Sequence, residues 1–352
     1  MQELTGAERV FKAIRRQEPD MVPTFEMDIH TDVIQAVKPG LDYVGFCEHM
    51  GLDAVVYFDM KGLKWEILDE AKCVRRSEWG NISMFTAAGE FNPVLQEPAV
   101  KSEKDLTNYI PPDPDQPDRY IAIEEGVKRF KGEKAVIATV LDPFRILTNY
   151  LRGEVELFKD MIRNPDMVER MSEIARDYAR RYVKNCIDIG VDIIFNTGDY
   201  AVTKSPFVSG EFTRRFLIPG LMQLVDLTHS RGLLFLEHSD GNIMPILDLM
   251  LDTGIDGLNP IDPIAGLDLG YMKANYGDRV CLLGNVDCGN LLSFGNKEEV
   301  RRAVKECMRK AARGGGYICM SSNTIHGGVN PENYVEMIKA IREYGKYPIS
   351  LE

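Results

Sequence analysis

Disulfide pairing and membrane insertion are the first features for which this sequence offers no support. Its seven cysteines are odd in number and include no C-x-x-C pair, which argues against a disulfide framework and against a structural zinc module. No apolar run approaches the ~18 residues needed to span a bilayer, and the N-terminus lacks the charged, apolar and small-residue order of a signal peptide. The sequence therefore predicts a soluble protein that stays in a reducing cytoplasm.

A basic surface is also missing. The 352 residues carry a formal net charge of -12, whereas binding to nucleic acid or to an anionic membrane needs an excess of positive charge. We therefore expect neither of these partners.

Nucleotide-binding and hydrolase motifs are absent as well. The chain has no G-x-G-x-x-G after a strand, no G-x-x-x-x-G-K-[ST], no H-E-x-x-H and no G-x-S-x-G. A Rossmann cofactor, a P-loop nucleotide, a zincin and a nucleophile-elbow hydrolase are therefore unsupported. The polar groups that end the apolar runs are carboxylates, imidazole and carboxamides, which suit metal-assisted or acid-base chemistry on a small molecule.

Eight short apolar runs, each followed by a helical stretch, are the main structural signal. We place them at residues 22–27, 53–58, 135–141, 191–196, 233–237, 254–258, 280–283 and 317–320. Strands alternating with helices predict an α/β fold, a single (β/α)8 TIM-barrel domain over residues 1–352, with its active site where the strands end. The function should therefore be read from the residues that follow each strand.

Two additions to the barrel are predicted. Thr5 and Glu8 form a capping box that opens an N-terminal amphipathic helix. Residues 62–118 form an insertion after the second strand, with a hairpin at 81–91 and a stiff proline-rich connector at 111–117. We expect this insertion to act as a lid.

The residues after the fifth strand predict a metal site. Residues two apart in an extended segment project to the same face, so His238 and Asp240 can present an imidazole nitrogen and a carboxylate oxygen to one ion, and such a pair suits zinc. The alternative is that the two side chains hydrogen-bond to each other or to loop backbone. If the strand ends one residue from this position, Glu237 replaces Asp240.

The loops after the last two strands offer further ligands. Asn323 or His326, after the eighth strand, is predicted as a third ligand or a hydrogen-bond partner, and the alternative is a capped loop that opens the last helix. Asn285 and Asp287, after the seventh strand, are predicted to share one face. Cys288 is either a thiolate ligand or a small buried residue.

Acidic and aromatic residues near the other strand ends complete the candidate set. Asp199, Asp59 and Glu26 are each expected either to contact substrate or to cap a helix. Phe144 and Tyr200 are expected either to contact the ring of an aromatic ligand or to pack in the core.

Several of these segments together resemble the uroporphyrinogen decarboxylase superfamily over nearly the whole chain. They are T-G-A-E-R-V at 5–10 with D-M-V-P at 20–23, L-R-G-E at 151–154, H-S-D-G-N at 238–242, G-N-V-D at 284–287 and P-E-N at 331–333. The resemblance implies a TIM barrel and two branches of function. One branch comprises porphyrinogen decarboxylases, and the other comprises cobalamin-dependent methyltransferases that use zinc.

The sequence departs from the decarboxylase branch. That branch carries an arginine-rich stretch after its first strand and a histidine in the turn after its last strand, whereas here the first strand reaches Glu26 and Asn323 stands in the last turn. An acidic mouth would repel a polyanionic porphyrinogen. Asp59 and Tyr150 nevertheless match the aspartate and tyrosine positions of the decarboxylases, so Tyr150 joins the predicted catalytic residues.

The sequence also departs from the methyltransferase branch. That branch binds zinc through H-x-C and a later cysteine, whereas this chain keeps His238 and has Asp240 and Asn323 in place of the two cysteines. Fewer thiolates leave a harder, more Lewis-acidic ion that prefers oxygen. The resemblance is strongest to the methyltransferases that demethylate methoxylated aromatics.

The resemblance thus implies a zinc-dependent methyltransferase that moves a methyl group from a small methoxylated aromatic to the cobalt of a separate corrinoid protein docked at the barrel mouth. Because no D-x-H-x-x-G fingerprint occurs in the chain, the cobalamin would arrive on that partner. A homodimer is also compatible with this reading. The predicted ligands are His238, Asp240, His326 and Asn323, the predicted catalytic residues are Asp199, Asp287, Asn285 and Tyr150, and the predicted substrate contacts are Glu26, Asp59, Tyr200 and Phe144. The alternatives are a decarboxylase or lyase and a non-catalytic ligand-binding barrel.

Overall fold

A curled parallel sheet organises the computed structural model, which describes residues 3–85 and 93–351. The strands are numbered along the chain, including those of two smaller sheets. The seven strands of the parallel sheet are hydrogen-bonded in the order β1, β6, β7, β10, β11, β12, β13. Their bounds are Ala54–Tyr57 (β1), Ala135–Leu141 (β6), Ile193–Thr197 (β7), Leu234–His238 (β10), Gly257–Asn259 (β11), Cys281–Val286 (β12) and Tyr317–Ser321 (β13). The predicted α/β class and the alternation of parallel strands with helices are confirmed.

Apolar residues on the two faces of the sheet form two separate cores. Alternate strand residues such as Ile137, Phe195 and Leu236 belong to a small apolar cluster. Among the helices that the structure describes, only the N-terminal one contributes residues to this cluster. The sequence neighbours of these strand residues, such as Val136 and Phe235, belong to a large cluster shared with the surrounding helices. Because successive strand residues point to opposite faces, the small cluster fills the inside of the curl and the large one fills the space under the helices.

The predicted first strand differs from expectation. Residues 22–26 form no regular strand, although this segment lies between the two edges of the sheet: the Asp53 N–H donates to the Thr24 carbonyl at 2.8 Å, and the Cys319 N–H donates to the Pro23 carbonyl at 3.1 Å. Pro23 has no N–H to donate, so a continuous ladder cannot form there. The described part of the chain therefore forms seven parallel strands and not the expected eight.

A second, antiparallel sheet follows β1. It consists of Trp65–Asp69 (β2), Val74–Ser77 (β3), Ile82–Met84 (β4) and Val94–Glu97 (β5), in that order. β4 pairs with β5, and the loop of the predicted 81–91 hairpin lies largely outside the described residues. A short ribbon of Ala201–Val202 (β8) and Ser205–Pro206 (β9) follows β7.

The helices surround the parallel sheet. The predicted capping box is present, since the Glu8 N–H donates to Thr5 Oγ1 at 3.2 Å and the Thr5 N–H donates to Glu8 Oε2 at 2.8 Å. No helix in the described ranges is long and apolar enough to cross a bilayer. The α-helices are Gly6–Ile14 (α1), Thr31–Val37 (α2), Tyr43–His49 (α3), Glu103–Thr107 (α4), Ile121–Phe130 (α5), Pro143–Ile146 (α6), Glu154–Arg163 (α7), Pro165–Ile189 (α8), Gly210–Phe212 (α9), Ile218–Ser230 (α10), Leu247–Leu251 (α11), Leu269–Tyr276 (α12), Leu291–Phe294 (α13), Lys297–Cys307 (α14) and Pro331–Tyr344 (α15).

Candidate functional site

Three titratable side chains meet at the C-terminal edge of the parallel sheet. β7, β10 and β11 are in parallel register there, with His238 beside Thr197 on one side and beside Asn259 on the other. The chain beyond β7 brings Asp199 back to the same place, because its N–H and that of Gly198 both approach the His238 carbonyl oxygen. The register of the sheet therefore determines which loop residues come together.

Asp199, His238 and Asp240, which we call the His-Asp cluster, have ligand atoms that all lie within 4.8 Å of one another. His238 Nε2 lies 3.3 Å from Asp199 Oδ1 and 3.6 Å from Asp240 Oδ1. The Asp240 N–H donates to Asp199 Oδ1 at 3.1 Å. The prediction that His238 and Asp240 face one point is consistent with this geometry, and Asp199 faces the same point.

The imidazole of His238 is held in one orientation. Its Nδ1 lies 2.7 Å from Asn259 Oδ1, and an amide oxygen can only accept, so Nδ1 carries the proton and donates. The lone pair of the neutral ring is then on Nε2, the atom that faces the two carboxylates. Burial lowers the pKa of His238, but the negative charge and hydrogen bond of Asp240 outweigh burial, and the net pKa is raised.

The donor set of the cluster fits a divalent ion. A neutral imidazole nitrogen and two carboxylate oxygens converge on one point, and a hydrogen bond to the other ring nitrogen is the usual support of a metal-binding histidine. The same groups without an ion would make a protonated histidine paired with two aspartates. The sequence predicts Asp199 as a catalytic residue and not as a ligand, and only the three-dimensional structure places one of its carboxylate oxygens among the potential ligand atoms of the cluster.

The two predicted third ligands lie beside the cluster. Asn323 Nδ2 donates to Asp240 Oδ2 at 2.5 Å, so its amide orients the carboxylate. The oxygen through which a carboxamide would bind a metal, Oδ1, accepts from the Thr324 N–H at 2.6 Å. His326 is exposed, and its Nδ1 accepts from the Gly328 N–H at 3.1 Å. Both residues line a cavity of about 430 Å³ together with Asp240. The structure thus places them as neighbours of the His-Asp cluster and not as members of it.

The residues predicted to follow the seventh strand separate into two places, and Asn285 lies within β12 itself. Asn285 and Asp287 line a different cavity of about 410 Å³, where Asn285 Oδ1 accepts from Cys307 Sγ at 3.4 Å and Asp287 Oδ1 accepts from the Asn290 N–H at 2.9 Å. Cys288 lines the cavity beside Asp240, and burial raises the pKa of its thiol to about 11. A catalytic role for Asn285 or Asp287 stays a prediction.

Glu26 and Asp59, at the ends of the first two predicted strands, each accept a hydrogen bond from a hydroxyl group. Glu26 is buried and its Oε2 accepts from Ser321 Oγ at 2.5 Å, and burial raises the pKa of this carboxyl to about 8. Asp59 Oδ1 accepts from Thr139 Oγ1 at 2.7 Å, and Asp59 lines a cavity of about 400 Å³. Burial and the charge of Asp59 raise the pKa of Tyr150, which is itself buried.

Tyr200 and Phe144 are buried behind the strand ends. The Tyr200 hydroxyl donates to Asp142 Oδ2 at 2.7 Å, and its ring packs edge-on against Phe144 with centroids 6.2 Å apart. Asn196 Nδ2 donates to Asp142 Oδ2 at 2.7 Å and to Glu237 Oε2 at 2.8 Å, and so links the two carboxyl groups. Burial and the charge of Asp142 raise the pKa of Glu237. Glu237 therefore belongs to this buried network, and of the two alternatives Glu237 and Asp240 it is Asp240 that lies beside His238 Nε2.

Arg145 is the main site residue that sequence reasoning missed. Its Nη1 pairs with Asp199 Oδ2, and its side chain is mostly buried. The signal that could have found it is a cation in the first turn after a strand end, three residues beyond Asp142.

Comparisons with known proteins place this architecture in a family. Residues 81–344 match the family described as "Uroporphyrinogen decarboxylase (URO-D)". A uroporphyrinogen decarboxylase of Psychromonas ingrahamii is 23% identical, with 96% of each chain covered. A methylcobamide:CoM methyltransferase of Methanosarcina acetivorans is 22% identical over 88% of this chain and 90% of its own. A methyltransferase structure from Methanosarcina mazei shares the fold, with a TM-score of 0.74, 18% identity and coverage of 97% of this chain and 99% of its own.

Proposed function

The chain belongs to the uroporphyrinogen decarboxylase family, and from this membership and the His-Asp cluster we propose that it is a zinc-dependent methyltransferase. Its relatives include methyltransferases as well as decarboxylases. The proposed reaction moves a methyl group from the ether oxygen of a small methoxylated aromatic to cobalt(I) of a separate corrinoid protein. The new bond between the methyl carbon and cobalt uses an electron pair of cobalt(I). The electron pair of the broken C–O bond stays on the oxygen, which leaves as a phenolate.

One observation carries the proposal: an imidazole and two carboxylates converge at the end of the sheet where chemistry is found in barrels of parallel strands. His238 Nε2, Asp240 and Asp199 are the groups that would hold the ion. When bound there, zinc supplies Lewis acidity toward an oxygen of the methyl donor. Two carboxylates in place of thiolates match a substrate that is activated through oxygen.

The chain's own residues prepare the site. Asn259 fixes the tautomer of His238, so that Nε2 presents its lone pair. Asn323 donates to Oδ2 of Asp240, the oxygen other than the one beside His238. Asp199 accepts the Asp240 N–H, which ties the two acidic ligands together. These contacts orient three ligand groups before any ion arrives, which lowers the entropy cost of binding one.

Decarboxylation of a tetrapyrrole carboxylate is the second candidate, because relatives named uroporphyrinogen decarboxylase match 96% of the chain. Asp59 and Tyr150, the two positions shared with that activity, lie near enough for the charge of Asp59 to raise the pKa of Tyr150. No arginine directly follows residues 22–27 to hold the acidic side chains of such a substrate. We therefore rank this activity second.

Metal analysis of protein purified without a histidine tag tests the proposal. We expect stoichiometric zinc in the wild type and in His229→Ala, whose imidazole pairs with Asp256 away from the cluster, and none in His238→Ala. Methyl transfer from an aryl methyl ether to cob(I)alamin, followed by its visible absorption, should follow the metal content. Wild-type protein without zinc, or zinc retained by His238→Ala, would refute the site.

A further inference from the structure

Arg145 is a buried cation directly beside the His-Asp cluster. It lies in α6, which begins at the end of β6 because the Phe144 N–H donates to Asp142 Oδ1 at 2.7 Å. β6 and β7 are parallel neighbours, so Arg145 leaves the same edge of the sheet as Asp199. A guanidinium that is largely removed from water needs compensating partners, and the identity of those partners shows what it does.

The guanidinium is fixed on two sides. Nη1 pairs with Asp199 Oδ2. The amide of Asn149, turned so that its oxygen faces the cation, accepts from Nε and Nη2 at 3.3 Å each. Asn149 lies in the helical turn Leu147–Leu151 that continues α6. A planar guanidinium held at all three of its nitrogens can neither rotate nor withdraw freely.

Because of this contact with Arg145, the two carboxylate oxygens of Asp199 have different surroundings. Oδ2 is occupied by the cation, whereas Oδ1 faces His238 Nε2 at 3.3 Å and accepts the Asp240 N–H. Asp199 has a left-handed backbone conformation with φ 58°, so its side chain starts from a constrained position. Asp199 therefore offers a single oxygen, Oδ1, to the centre of the cluster.

We propose that Arg145 is a positioning residue that holds Asp199 as a one-oxygen ligand and thereby sets the coordination and affinity of the proposed zinc site. This inference rests on the proposed function, because it assumes that the cluster binds a metal. A carboxylate that gives one oxygen suits the low coordination number of zinc, whereas a carboxylate free to give two oxygens suits larger ions with more ligands. Arg145 also supplies positive charge beside two adjacent aspartates.

Zinc affinity, measured by competition with a chromophoric chelator, tests the inference in Arg145→Met and Arg145→Lys. We expect a loss of roughly 10- to 100-fold for Arg145→Met, the usual effect of removing a partner that orients a ligand. Lysine keeps one charged donor for Asp199 but not the fork held by Asn149, so its loss should be smaller. Arg231→Met is the matched control, because Arg231 pairs with Asp188 on the surface.

The visible spectrum of the cobalt(II)-substituted protein gives a second reading that does not depend on activity. Arg145→Met should lose the intense absorption of a four-coordinate ion, and Arg145→Lys should recover part of it. If Arg145→Met fails to fold, Asn149→Leu serves instead, since it removes only the acceptor that orients the guanidinium. Unchanged affinity and spectrum in the variant would refute the role of Arg145.

The failures of the two proposals are distinguishable. Zinc that is bound by the wild type, lost in His238→Ala and fully retained in Arg145→Met overturns the Arg145 inference and leaves the metal site standing. A wild type that binds no zinc overturns both.

Discussion

Glu26→Gln should stabilise the protein at neutral pH, because the buried Glu26 carboxyl is held in its uncharged form. Burial raises its pKa from the ordinary value of 4.5 to about 8, and the hydrogen bonds from Ser321 offset only part of that rise. Its two oxygens accept from the Ser321 N–H at 3.3 Å and from Ser321 Oγ at 2.5 Å. A glutamine has the shape of the protonated acid, and its Nε2 can donate to Ser321 Oγ, which in turn donates to the Asn323 carbonyl.

The sign and the size of the stability difference between Glu26→Gln and the wild type follow from proton linkage. Between about pH 4.5 and about pH 8 the folded protein keeps this proton and the unfolded chain does not, so the free energy of unfolding falls as the pH rises, by about 1.4 kcal/mol per pH unit. The loss reaches about 3 kcal/mol by pH 7 and levels off above about pH 8. Glutamine does not titrate, so the variant should be about 3 kcal/mol more stable at pH 7 and nearly equal to the wild type at about pH 4.5.

Urea unfolding followed by circular dichroism, at several pH values between about 5 and 8.5, measures this difference. Glu211→Gln, at an exposed position, controls for the loss of one acidic residue. A gap between Glu26→Gln and the wild type that stays constant with pH, or a variant that is less stable throughout, would show that Glu26 is ionised in the folded protein.

Two further changes test the support of the site and of the fold. Asn259→Ala removes the acceptor for His238 Nδ1, so zinc affinity measured by chelator competition should fall roughly 10- to 100-fold while the helical circular dichroism is kept; unaltered affinity would contradict the assigned tautomer. Arg9→Met leaves the buried Asp53 carboxylate without its cation and also breaks the contact with Asp20, so the free energy of unfolding in urea should fall by about 3–5 kcal/mol, and a loss below about 1 kcal/mol would show that the pair is dispensable.

Local sequence predicted the elements better than their lateral connections. The capping box at Thr5 and Glu8 was found because both of its hydrogen bonds lie within one turn of helix. The strand at 22–27 was not formed as predicted, because its apolar character came from a segment that is buried without pairing regularly, with Pro23 interrupting the ladder. A short apolar run predicts the burial of a segment more reliably than it predicts regular hydrogen bonding of that segment within a sheet.

The candidate site shows the same division. His238 and Asp240 were selected because a two-residue spacing in an extended segment is a local property. The place of Asp199 in the His-Asp cluster and its pairing with Arg145 could not be assigned, because the contact between them joins residues 54 apart and depends on β6, β7 and β10 being neighbours. The same reasoning predicts a role near the mouth for Asn285, which stays a prediction, and it gave no indication that the Asn285 side chain contacts Cys307 of α14.

What the sequence by itself determined is the class of fold, the family and the chemical character of the strand ends, since periodicity, motifs and residue types are all read along the chain. What only the tertiary structure decided is which of those ends converge, which atom of each side chain is free, and which carboxyls lose their charge. Those outcomes depend on the lateral order of the strands and on the exclusion of water. Both arise from contacts between segments that are distant in sequence, and the local pattern of residues does not encode them in a readable form.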